Sequence, residues 1–303
     1  MTGGKKSLGQ ESSFQKTVNI LLPFLIYFIV HDLAQIILAF LLSGSFGIFG
    51  EEYTQFIQAN AASVNGVLNA LALLIGMAAV LPMAMKELRL AAVVRGYEKS
   101  VDMEKSELVT GILPMVGRKR IGYTILTYGV LMVLAISLAL GMNILLTLTG
   151  LTQASNSYTE VAARQYGVFF GLGILLYGLV SPLAEEIVFR GVIYNRMKRY
   201  FRVPLAIVVC GVLFGIYHGN LVQGIYGSIL GIVITLVYEW YDSFLAPLLF
   251  HGAANVSVFV VSYDAERYHG LTTLWNGLVF MAVAVLSLLI IVWMRKSNLG
   301  DSK

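Results

Sequence analysis

Long apolar runs broken by short charged or polar stretches set the pattern of this chain, and each run is long enough to cross a bilayer as a helix. The runs lie at about 18–42, 61–84 and 121–149, then from near Tyr166 to the basic stretch at Arg196. Four more follow at about 204–220, 222–240, 244–262 and 272–294. The pattern predicts an all-α, polytopic helical bundle of about eight transmembrane helices.

The charged stretches orient it. Lys5, Lys6 and Lys16 precede the first run. Lys86, Arg89, Arg95, Lys99, Lys105, Arg118, Lys119 and Arg120 lie between the second and third. Arg196, Lys198, Arg199 and Arg202 follow the fourth, and Arg295 and Lys296 follow the eighth, whereas the loop 43–60 carries Glu51 and Glu52 and no Lys or Arg. Basic residues collect on the cytoplasmic side, so the expected orientation is N-in and C-in, with 43–60 and the Thr/Ser/Asn-rich loop ending near Gln165 outside. The expected divisions are a cytoplasmic tail at 1–16, a helical pair with a basic cytoplasmic loop at 17–120, and a six-helix core at 121–303. The segment 86–120 reads as an amphipathic surface helix on anionic lipid or as a solvated linker.

Composition agrees with a membrane protein: 57% of the 303 residues are hydrophobic and 13% charged. The net charge of +4 lies at segment ends, which does not suggest a nucleic-acid binder. The single cysteine, Cys210, excludes a disulfide framework and reads as a small apolar packer. No cleaved leader is expected before the first run.

Charges at membrane depth cost a few kcal/mol each and mark functional candidates. Ser181-Pro182-Leu183-Ala184-Glu185-Glu186-Ile187-Val188-Phe189-Arg190-Gly191 places three of them in the fourth run. Glu186 and Arg190 stand at i and i+4 and can pair. Glu185 points about 100° away and is left as the chemically available carboxylate; a double ion pair or a charged helix end is the alternative. The fifth run carries Phe214 and His218, and the seventh carries His251 and Asn255, again at i and i+4. Counted from the basic ends, Glu185 and His218 lie about 20 Å deep and His251 about 13 Å, compatible with one layer. Such a pocket of one carboxylate, two imidazoles and an amide suits water-mediated acyl hydrolysis. His31 and Asp32, in the first run, read as a contact to another helix, with a site or a local water cavity as alternatives. Gly211, Gly215 and Gly219, and Gly227 and Gly231, predict close packing of the fifth and sixth helices and a central position for both.

Taken in order, Glu185-Glu186-xxx-Arg190, Phe214-xxx-His218 and His251-xxx-Asn255 resemble the three motifs of the CAAX-protease and bacteriocin-processing (CPBP, or Abi) family of intramembrane glutamic endopeptidases. The resemblance covers about 166–262. It implies a glutamate-dependent membrane protease with Glu185 as base, His218 holding the water, His251 and Asn255 binding the oxyanion, and Glu186 and Arg190 bracing the helix. It also implies no cofactor, a peptide or lipid-modified protein substrate within membrane lipid, and, in bacteria, links to bacteriocin immunity. A bacterial plasma membrane is the expected location.

Burial of Glu185 raises a requirement, since a buried carboxylate resists ionisation; contact or a shared water with His218 is the expected remedy. Two rival readings remain. A zinc-dependent hydrolase would use Glu185, His218 and His251, although no helix carries the clustered His-Glu-xx-His spacing. A non-enzymatic scaffold, immunity or regulatory factor would bind a membrane-protein partner and use the polar set for packing.

Overall fold

The structure is a computed structural model that describes residues 12–107 and 118–300. The described chain is helical, with no strand among the described residues. Nearly all of the expected cytoplasmic tail and residues 108–117 of the basic loop lie outside them.

Helix α1 spans Ser13–Ala59 and opens with a capping box. Ser12 Oγ accepts from Gln15 N at 3.2 Å, and Gln15 Oε1 accepts from Ser12 N at 2.9 Å, so two otherwise orphaned donors are satisfied. The helix continues through 43–60, which was expected to be an outer loop, and is broken only at Gly50, where φ is +83°. Phe46, Ile48 and Phe49 keep that stretch apolar, and glycine is its one breaker before Asn60. Helix α2, Ala61–Glu107, likewise runs from the second span into the basic segment without interruption, rather than yielding to a separate surface helix or linker.

Helix α3 spans Arg118–Leu148. Two short helices, α4 at Leu151–Ala154 and α5 at Asn156–Tyr166, fill the Thr/Ser/Asn-rich connection. Helix α6, Phe170–Met197, carries the Glu-Glu stretch. Helices α7 at Val203–Tyr217 and α8 at Leu221–Tyr241 form a tight hairpin. Helix α9 spans Leu245–Tyr263, a short α10 spans Ala265–Tyr268, and α11 spans Leu274–Gly300.

Among the described residues, seven helices are long and apolar enough to cross a membrane, and the chain is an integral, multi-pass membrane protein. The eighth apolar helix, α7, has 15 residues, or about 22 Å at 1.5 Å per residue, short of a hydrocarbon core of about 30 Å. It ends at His218, and Gly219 makes the turn into α8 at φ +73°. Asn220 then caps α8 by accepting from Gln223 N at 2.9 Å.

Two apolar cores meet at α8. Leu230, Ile234 and Val237 pack with α3, α9 and α11, while Tyr238 packs with Phe189, Cys210 and Phe214 in a core that includes Tyr27 of α1 and Val80 of α2. The glycine pattern explains the α7–α8 contact. A Cβ on Gly211 or Gly215 would collide with α8 backbone, and one on Gly231 would stand 2.9 Å from Gly211 O. Gly219 is different: it serves the turn, with nothing near its Cβ position. The expected central position of both helices also needs correction, because α7 exposes Val208, Val212 and Ile216 on its other face.

Candidate active site

Helix α6 is not a regular α-helix where it matters. π-Helical turns at Leu176–Val180 and Ile187–Tyr194 flank the α-helical Ser181–Glu186. Such widened turns free backbone carbonyls and recur at functional sites. Here Asn195 Nδ2 fills the role of donor to Arg190 O at 2.9 Å and to Gly191 O at 3.2 Å.

The expected separation of the two glutamates is present. Glu186 and Arg190 are fully buried, and Arg190 Nη1 donates to Glu186 Oε1 at 2.7 Å. Arg190 Nη2 donates to Gly231 O at 2.9 Å, and its guanidinium lies 4.9 Å from the Phe214 ring centre. A buried pair depends on further partners for its polar atoms; α8 and α7 supply some of them, while Arg190 Nε and Glu186 Oε2 have no hydrogen-bond partner. Glu185 faces elsewhere. Its Oε1 accepts from Ser181 Oγ at 2.6 Å, and its buried Oε2 has no hydrogen-bond partner.

His251 sits between the glutamates. Its Nδ1 lies 2.8 Å from Glu186 Oε1, and its Nε2 lies 3.6 Å from Glu185 Oε2. Close approach of α9 to α6 makes this reach possible: a Cβ on Gly252 would collide with Gly178 O. The imidazole that reaches Glu185 is therefore His251. His218 Nδ1 lies 2.9 Å from Phe214 O, its helix's own penultimate turn. The Phe214 ring separates and orients the two imidazoles, edge-on to His218 at 5.0 Å and to His251 at 5.4 Å.

A cavity of about 270 Å³ is lined by Glu185, His218 and Asn255 together with Ser181, Tyr217 and Gln223. His251 contacts Glu185 but is not itself among the lining residues. Thr152 of α4 and Tyr158 and Gln165 of α5 line its far end. Burial pushes the Tyr166 phenol well up, with neighbouring Tyr158 adding to the effect, so it lines the cavity as a neutral hydroxyl.

Three contributors escape the motifs. Ser181 stands one helical turn before Glu185, a spacing visible in the sequence. Gly178 and Gly252 set the α6–α9 approach, but an isolated glycine pair on two helices gives no signal until the helices are brought together. Among the described residues, no three His, Cys, Asp or Glu side chains converge as a metal site.

Residues 167–257 match the family model described as Rce1-like, type II CAAX prenyl endopeptidase. The motif-bearing segment is thus similar to the Rce1-like family. It contains all seven residues singled out from the three motifs, and it is under a third of the chain. A stretch of 96 residues is 25% identical to "Putative membrane peptidase YdiL" of Bacillus subtilis (strain 168), covering 32% of this chain and 39% of that protein. The chain therefore spans about two fifths of the length of that curated relative. No solved structure matches the chain at a significant level.

Proposed function

We propose that the chain is a membrane-embedded endopeptidase in which Glu185 activates water to hydrolyse a peptide bond. The observation that carries this reading is the state of the Glu185 carboxylate. One oxygen is held by Ser181, and the other is buried and unpartnered beside His251 Nε2. A general base needs that combination of fixed orientation and a free lone pair.

The hydrogen bonds around Glu186 support the same assignment. Glu186 Oε1 accepts from Arg190 and from His251 Nδ1–H. His251 Nε2–H then faces Glu185 and the developing oxyanion, as the resemblance implies, and Asn255 adds an amide donor from the same face of α9. His218 holds the water from across the chamber. In one turnover the water gives a proton to Glu185 and its oxygen adds to the carbonyl carbon. The proton then passes to the departing amine as the C–N bond breaks.

The chamber reaches α4 and α5, the end of the bundle opposite the basic residues Arg196, Lys198 and Arg199. With the basic ends cytoplasmic, peptide and water enter from the other side, in the N-in and C-in orientation. The substrate class is a membrane-associated peptide or protein segment. Proteoliposomes of the full chain, given a pool of internally quenched hydrophobic peptides, test the reading. Cleavage by the intact protein that disappears in Glu185→Gln and persists in a chelator supports it. Cleavage that survives in Glu185→Gln overturns it.

A further inference from the structure

The chamber has a wall that lies outside the matched segment. His31 of α1 lines it, is 9% exposed, and presents a buried Nε2 with no hydrogen-bond partner. Its Nδ1 lies 2.9 Å from Asp32 Oδ1. A carboxylate only accepts, so Nδ1 carries the hydrogen, and a neutral ring then offers Nε2 as a lone pair.

The position is built. A Cβ on Gly76 of α2 would stand 3.1 Å from both His31 Cβ and Tyr27 O, so α2 presses α1 into place at this turn. The Tyr27 ring stacks with His31 at 6.0 Å, and its hydroxyl lies 3.2 Å from that of Tyr217, another chamber residue. The Asp32 side chain is 46% exposed near the middle of the first span. A carboxylate there costs a few kcal/mol in lipid, which an apolar packing residue would not, so packing alone does not account for the pair.

The rest of the lining states the ligand's chemistry. Asn69, Asn143, Gln165, Gln223 and Asn255 contribute neutral amides, and no Lys or Arg lines the chamber among the described residues. That surface matches an uncharged polar chain, not a phosphate or a carboxylate terminus.

We propose that His31, held by Asp32, is a further substrate-contacting residue, accepting a hydrogen bond from a backbone N–H of an internal peptide segment. The inference rests on the peptidase reading and adds α1 to the substrate site. Loss of one neutral hydrogen bond corresponds to a roughly three- to tenfold change in binding.

The test uses full-length protein in proteoliposomes and internally quenched neutral peptides with acetylated and amidated ends, at equal protein abundance. Expected for His31→Phe is a rise in KM in that range with little change in kcat. Asp32→Leu, on the half-exposed side and independent of how His31→Phe folds, raises KM in the same direction. The double variant is no worse than His31→Phe, because the two act as one unit. Unchanged KM in both single variants, or additive effects, overturns the inference while the peptidase reading stands. An intact protein as inert as Glu185→Gln overturns both.

Discussion

His251 Nδ1 lies 2.8 Å from Glu186 Oε1, the same oxygen that accepts from Arg190 Nη1 at 2.7 Å. One buried carboxylate oxygen thus fixes an arginine on its own helix and an imidazole on α9. Glu186 is more than a brace for α6: it aims the ring that faces Glu185.

Removing one member of this set should cost more than removing the pair. Glu186→Gln leaves Arg190 buried without its counter-charge, a loss of about 3–5 kcal/mol by analogy with broken buried pairs. Thermal unfolding in detergent should show a large drop. The double variant Glu186→Leu with Arg190→Met should recover much of the stability but not the hydrolysis, because His251 has lost its aim. Equal stability losses in the single and double variants would contradict the assignment.

The α6–α9 approach gives a second prediction. Gly252→Ala places a methyl against Gly178 O, pushing His251 away from Glu185. Catalytic positioning is sensitive to shifts of about 1 Å, at a cost on the order of a hundredfold. Turnover should fall by at least tenfold. Gly129→Ala, where nothing lies within 4 Å of the added carbon, should leave turnover unchanged. Similar losses in the two variants would assign the effect to folding.

The opening of the chamber can be mapped by thiol labelling. Cys210 is buried and provides a quiet background. Gln165→Cys, at the α5 end of the chamber, should react with a membrane-impermeant maleimide added to intact cells. A cysteine at Lys198, at the basic end, should react only in inverted vesicles. The opposite pattern would reverse the orientation and the access route.

Much of this was legible in the sequence, where local spacing carried the information. The i, i+4 relation of Glu186 and Arg190 appears as a 2.7 Å ion pair, and the angular offset of Glu185 places it on the chamber. The apolar runs anticipate the helices, because hydropathy measures what bilayer crossing requires. What failed depends on other physics. Hydropathy is blind to helix type, so the π-helical turns around Ser181–Glu186 left no trace. The expected outer loop at 43–60 is helical on both sides of a break at Gly50. The approach of His251 to Glu185 follows from helix packing at Gly178 and Gly252, which depth counting does not reveal, while His218 lines the same chamber as Glu185. His31 packs against α2 and also lines the chamber; the sequence left both readings open, since a lone intramembrane histidine carries no sign of what it faces.

The central claim is that Glu185 makes this chain a peptidase, and new peptide termini in cells test it most directly. Cells expressing the intact protein and Glu185→Gln at equal membrane abundance would be compared. Termini in membrane-associated proteins should be present with the intact protein and absent with the variant. Matching profiles would contradict it and favour a polar core kept for binding a partner.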